Sequence, residues 1–300
     1  MSKRRPSRRK RKNQQPSFFI LDQFSLEDIK RWTALRDKIL SYHWEYYSSL
    51  AYQRSRITDD IRAALVEATE GPIPFTGWQR IVRYQYTNAP LSVAGSLADI
   101  GGRFNIGNID AERFTPFPAL YIASDRETAM QEALGQGLAE DRLSGLEFAL
   151  TKTESITAVS VNGILDSVIN LNHPEKLDRF VRLIKDFVVA GKLTQMSKES
   201  GWEPPGLIRT VPQLLDGMLY RDWRQWANLY DVPVASQIFG QLVMNAGIEG
   251  IVYPSKFNDR ENLAIFPQVF TGDSHIELAG VVPAEVKVKR LDVSTAKNLP

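Results

Sequence analysis

Cysteine is missing from all 300 residues, and that absence closes several routes at once. Disulfides, thiolate metal ligands and cysteine nucleophiles are all excluded. Histidine is nearly as scarce: His43, His173 and His275 are the only three, none at a paired spacing such as H-x-x-x-H, so zinc chemistry is not expected. The phosphate-cradling G-x-x-x-x-G-K-[ST] loop and the dinucleotide fingerprint G-x-G-x-x-G are also absent, so P-loop and Rossmann modes of nucleotide binding have no support. No apolar run approaches the ~18 residues that a membrane-spanning helix needs, and the N-terminus carries charge without the apolar stretch of a secretory signal. The expectation is a cytoplasmic protein with no membrane partner.

What is present reads as a globular protein with a basic arm. Apolar residues make up 43% and charged residues 24%, a composition that supports a sizeable core. The net charge of +2 conceals two opposed parts. Residues 3–12, "KRRPSRRKRK", hold eight basic groups and no acid, leaving 29 basic against 35 acidic residues elsewhere. Such a run cannot pack and repels itself, so residues 1–16 are expected to be a disordered arm. Lys3–Lys12 either solubilises the chain or binds a partner such as nucleic acid.

Residues 17–71 are expected to form a helical extension. Ser25 and Asp28 have the spacing of a capping box, and Leu26, Ile29, Trp32, Leu35, Ile39, Tyr42 and Tyr46 recur at helical period. A second helix starts at Thr58 and is stopped by Gly71. The aromatic run "YHWEYY" is read as a packing face. "GPIPFTGW" reads as a linker, because Pro72 and Pro74 oppose helix.

From Gly71 onward the texture changes to short strands with helices between them. Strands are expected at 79–84, 119–123, 146–150, 156–161, 250–253, 263–266, 276–282 and 285–291. Helices are expected after the cap Asp125 and from Pro174 to Gly191, then over 212–230 and 233–246. The alternation is too irregular for a doubly wound parallel sheet, so the fold class is α+β.

Three segments carry candidate chemistry. In "GGRFNIG", residues 101–107, an arginine sits on glycine-rich backbone that a ligand can approach, with N–H groups able to face an anion. The alternative is a turn with a solvated charge. "ALYIASD" reads as a buried strand running into a capped helix, where Thr128, Ala129, Glu132, Ala133 and Gln136 share one face. Glu132 there is either a desolvated functional carboxylate or an ordinary helix-surface glutamate. In "GIEGIVYPSKFNDRENLAIFP", Ser255 ends one strand and Asn262 opens the next. No histidine is placed to activate Ser255, so it reads as a hydrogen-bonding group or a turn serine rather than a nucleophile.

Taken in order, "IVRY", "GGRFNIG", "ALYIAS", "MQEALG", "AGIEGIVYPSK" and "NLAIFP" resemble the RES domain, named for its arginine, glutamate and serine. The similarity runs from Trp78 to about Pro267 and is strongest at its two ends. It implies an ADP-ribosyltransferase-like mixed β core with surrounding helices, and an NAD+-consuming catalytic domain over residues 76–295. It implies Glu132, Arg103 and Tyr121 as catalytic residues, with Arg83, Gly102, Asn105, Ser255 and Asn262 binding substrate. NAD+ is then a substrate, no cofactor is required, and inorganic phosphate is a potential co-substrate. The resemblance further implies a toxin neutralised by an Xre-like antitoxin protein; self-association into a homo-oligomer stays open.

Cleavage of the bond between ribose and nicotinamide develops positive charge on the sugar, which suits a carboxylate held near it. Two arginines suit a pyrophosphate or an attacking phosphate. Tyr121 would offer a ring and a hydroxyl, and Ser255 and Asn262 hydrogen bonds. Two other readings are carried forward: transfer of ADP-ribose to a protein or nucleic acid, and a non-catalytic binding protein that uses its basic arm.

Overall fold

The computed structural model describes residues 25–134, 156–203, 205–258 and 260–298. The basic arm, the strand expected at 146–150 and Gln136 lie outside them. The chain divides into two compact units, residues 1–41 and 42–300. What is described of the smaller unit is the first part of one long helix, α1 (Leu26–Ser55).

Within the larger unit the strands are β1 (Ile73–Arg83), β2 (Leu120–Ala123), β3 (Ile156–Leu165), β4 (Val168–Asn170), β5 (Gly250–Pro254), β6 (Glu261–Ile265), β7 (His275–Leu278) and β8 (Arg290–Asp292). They form one sheet in the order β4-β5-β6-β2-β1-β3-β7-β8. β4 and β5 are parallel, and the other neighbours are antiparallel. The helices are α2 (Thr58–Glu67), α3 (Arg126–Leu134), α4 (Asp178–Ile184), α5 (Gly191–Ser200), α6 (Val211–Leu219), α7 (Trp223–Tyr230) and α8 (Ala235–Asn245). The fold class is α+β, a mixed sheet with surrounding helices.

β2 and β5 read as continuous apolar runs because both of their faces are covered. In β6, Leu263 and Ile265 join one buried cluster with Phe75, Leu120 and Ile122. Ala264 and the following Phe266 join the other, with Ile61, Leu65, Phe180, Met218 and Phe239 of the helices. The alternation is the period of two that strand geometry imposes. Burying each large side chain stabilises the fold by roughly 1.5–3 kcal/mol relative to leaving it exposed. One consequence bears on chemistry. Tyr121 and Tyr253 sit at the helix-facing positions of β2 and β5, and Asn262 pairs with both Ala123 and Tyr253 in that register.

Several local expectations are corrected. "GPIPFTGW" is not a linker, because β1 begins at Ile73 and pairs with β3 across a register shift between Phe75 and Trp78. Pro74 is tolerated there because β2 joins β1 only farther along, at Gln79, leaving that edge of the strand unpaired. α2 ends at Glu67, before Gly71 is reached. Gly191 opens α5 instead of closing the preceding helix, which stops at Ile184. The helix expected over 212–230 is two, broken at residues 220–222. β7 and β8 are shorter than their apolar runs, and β4 and α5 were not expected.

Candidate active site

α3 is built from its first residue inward. The Asp125 carboxylate accepts the Thr128 N–H at 2.9 Å and the Thr128 hydroxyl at 2.7 Å, satisfying one of the donors that a helix start leaves open. So anchored, the helix buries Thr128, Ala129 and Gln131 and holds Glu132 half-buried. Ala133, expected on the same face, is exposed.

Glu132 meets both ends of the β5–β6 connection. The Ser255 hydroxyl donates to its Oε1 at 2.9 Å, and the Asn262 Nδ2 donates to the same oxygen at 3.1 Å. Glu132 and two residues more than 120 positions later therefore form one cluster. Serine acts here as a hydrogen-bond donor, with its own Oγ also accepting the Phe257 N–H at 3.2 Å. Asn258 extends the network to α3 through Thr128 and Gln131.

The glycine-rich loop is held from the inside. The Tyr121 hydroxyl donates to Asn105 Oδ1 at 2.8 Å and accepts the Phe104 N–H at 3.0 Å. Asn105 Oδ1 also accepts the Gly102 N–H, while its amide nitrogen donates to the Ser96 and Phe117 carbonyls. From α8 a single side-chain amide, Gln237 Nε2, donates to the carbonyls of Ile100, Gly102 and Asn105. The N–H groups of Gly101, Gly102, Phe104 and Gly107 are thus bonded within the fold, so these amides do not line an anion cradle. Two close approaches fix the loop. A Cβ on Gly102 would lie 2.4–2.5 Å from the Tyr121 phenol, and one on Gly240 of α8 only 1.9 Å from the Phe104 carbonyl oxygen.

Arg103 projects from this frame as a buried cation, 6% exposed. Its Nη1 donates to the carbonyls of Met218 and Tyr220, and its guanidinium lies 5.8 Å from the Trp223 ring. Burial pulls its pKa below the ordinary arginine value, and the fields of Tyr253 and Glu132 oppose that shift. Burial likewise pushes the Tyr121 phenol upward. Tyr253 is raised well above its ordinary value, by burial first and the Glu132 charge second. Both phenols remain protonated near neutrality.

Cations that the sequence reading did not single out share this region. Lys256, next to Ser255, has its pKa lowered by burial; Glu132 counters that, and Arg103, Arg224 and Arg221 add to it. Arg224 also stacks over Trp223 at 4.9 Å. The sequence signal is "YRDWR", two arginines around a tryptophan at a helix break, which was read as helix interior. Arg83 stands exposed at the end of β1, opposite Ile156 of β3. Arg80, three residues earlier, is bonded to the site's framework. Its guanidinium donates to the carbonyls of Pro90, Ser92 and Tyr121, and burial lowers its pKa to about 10.

Among the described residues no group of histidine, aspartate and glutamate side chains is arranged to hold a metal ion. The arrangement amounts to a carboxylate with one oxygen pinned, two protonated phenols and a set of cations around it. That set can bind an anion and stabilise a neighbouring positive charge.

Comparison with known proteins adds three findings. The family model of the RES domain matches residues 78–284. No curated protein matches the chain. Among solved structures, the chain is similar to one in the crystal structure of the M. tuberculosis MbcT–MbcA toxin–antitoxin complex, at 15% identity and a TM-score of 0.42, covering 80% of this chain and 96% of that one.

Proposed function

The chain belongs to the RES domain family, and from that premise we propose that it is a toxin that depletes NAD+ by cleaving the bond between nicotinamide and ribose. The observation that carries this reading is the Glu132 carboxylate, held at Oε1 by Ser255 and Asn262. As the bond breaks, nicotinamide leaves as a neutral group and positive charge grows on the ribose ring. A carboxylate fixed beside the ring stabilises that charge without having to reorganise. Ser255 and Asn262 then act on the substrate mainly through Glu132, by aiming its remaining oxygen.

The cations account for the other end of the substrate. Arg103, Arg224 and Lys256 lie close enough to influence one another, and Arg103 and Lys256 also feel the Glu132 charge. Permanently charged guanidinium groups of this kind would clamp a pyrophosphate, or a free phosphate acting as nucleophile. Tyr121 is not a substrate hydroxyl in this scheme, since its oxygen is committed to Asn105 and Phe104. It shapes the wall that presents Arg103. A protein antitoxin of the Xre-like kind is the proposed partner.

The test is to incubate the purified full chain with NAD+, with and without inorganic phosphate, and to identify the products. A phosphorylated ADP-ribose that requires added phosphate means phosphorolysis, and plain ADP-ribose means hydrolysis. Label transferred to a macromolecule means ADP-ribose transfer. Intact NAD+ under every condition overturns the proposal.

A further inference from the structure

The larger unit contains a cleft of about 420 Å³, lined by the C-terminal half of α1 together with α4, α6, α7 and α8. Its volume falls within the ~300–1,000 Å³ of small-ligand pockets, and its walls are mostly aromatic and aliphatic, as such pockets are. An apolar cavity alone says little about what fills it. Here two polar groups on the α1 wall make the lining specific.

Arg54 is the cation that lines the cavity. Half-buried, it pairs with no carboxylate among the described residues, and its guanidinium lies 5.9 Å from the centre of the Tyr47 ring. Burial lowers its pKa, with the phenols of Tyr47 and Tyr46 resisting. A desolvated guanidinium facing phenols and no counter-charge is an incomplete arrangement. His43, on the same helix, stacks on Tyr230 at 3.7 Å, and its buried Nδ1 has no hydrogen-bond partner. Burial brings its pKa down to about 4, so the ring is uncharged near neutrality and Arg54 remains the local cation. Asp216, the acidic group of the lining, is exposed to water.

We infer that this cavity is a binding site for a small amphipathic anion, an aromatic or medium-chain acyl body inserted among the helices with its carboxylate or sulfonate on Arg54. The cavity shares Tyr220 and Trp223 with the surroundings of Arg103, so its occupant would lie directly behind the candidate active site.

The experiment titrates the full chain with 1-anilinonaphthalene-8-sulfonate, follows its fluorescence, and displaces it with octanoate or octylamine. The expected result is saturable binding that octanoate displaces at least about tenfold better than octylamine, as a charge-assisted bond to Arg54 requires. Arg54→Met should remove that preference. Gly217 lines the cavity, and a Cβ there would meet only the Ala235 Cβ, at an ordinary 3.7 Å. Gly217→Leu should therefore fill the space and abolish probe binding with the fold intact by circular dichroism; Ala235→Leu serves the same purpose if that variant does not fold. Non-saturable binding, equal displacement by the two competitors, or unchanged binding in the folded filled variant each overturn the inference. None of these readouts depends on NAD+ turnover.

Discussion

Glu249 and Glu132 are both carboxylates at the edge of the β5–β6 hairpin, and they are treated in opposite ways. Glu249 is fully buried, and both its oxygens are occupied. Oε2 accepts from the Asp166 N–H, the Ser167 N–H and the Ser274 hydroxyl, and Oε1 from the N–H and hydroxyl of Thr271. Glu132 is half-buried, with two donors converging on one oxygen. A carboxylate fully satisfied by the backbone and hydroxyls of neighbouring loops holds those loops together. One that is aimed but only half satisfied has capacity left for a ligand.

The largest effect expected from breaking that contrast is at Glu249. Glu249→Ala takes the acceptor from five hydrogen bonds, donated by Asp166, Ser167, Thr271 and the buried Ser274, each contributing about 1 kcal/mol, so the loss of folding free energy should be at least about 3 kcal/mol by urea denaturation. A loss under about 1 kcal/mol would erase the distinction.

Glu132→Ala should do the reverse. It should reduce NAD+ turnover by about 10²–10³-fold while costing less stability than Glu249→Ala, because two hydrogen bonds rather than five lose their acceptor. Near-normal NAD+ loss in this variant would sink the assignment of Glu132.

Ser255→Ala removes one of the two donors and leaves Asn262 in place. About 1 kcal/mol of positioning is lost, so turnover should fall roughly fivefold with little change in the concentration of NAD+ needed for half-maximal rate. An undiminished rate would mean that Asn262 alone aims the carboxylate.

A third carboxylate sharpens the comparison through pH. Burial pushes Glu70 up, but bonds from Lys176 at 2.8 Å, His173 at 2.7 Å and Asn170 at 3.2 Å outweigh it and hold the carboxyl at about 2. Its folded value lies below its unfolded one, so its contribution to stability is complete above about pH 4.5 and is lost as pH falls towards 2. Thermal melts across that window should show Glu70→Gln losing less stability on acidification than the parent.

The residues differ in how legible they were. β2, β5, β6 and α8 could be read from sequence because their apolar runs are short and bounded by Asp125, Gly247 and polar loops. Asp125 was placed correctly as a cap because its side chain acts only three residues away. The Glu132, Ser255 and Asn262 cluster was expected from the family resemblance, not from periodicity, since the contacts span more than 120 positions. Arg80 carries no sequence signal, because the carbonyls of Pro90, Ser92 and Tyr121 hold it and no local pattern marks a carbonyl as a partner. β1 was cut short because two prolines signal a loop locally, while the unpaired edge that tolerates Pro74 is a property of the assembled sheet. Arg224 carries no local signal because its nearness to Arg103 depends on where a helix breaks, and Lys256 because its nearness to Glu132 depends on how the loop after β5 meets α3.

The bonds from Gln237 to the glycine-rich loop set a limit on protein engineering. Its one amide reaches three loop carbonyls with two N–H groups, one of them shared, and Gly240, one turn later, lets the helix touch the Phe104 carbonyl. The heptapeptide "GGRFNIG" is therefore not a portable module. Grafted into another scaffold without a glutamine and a glycine three residues apart on an adjoining helix, it would keep its sequence and lose its shape.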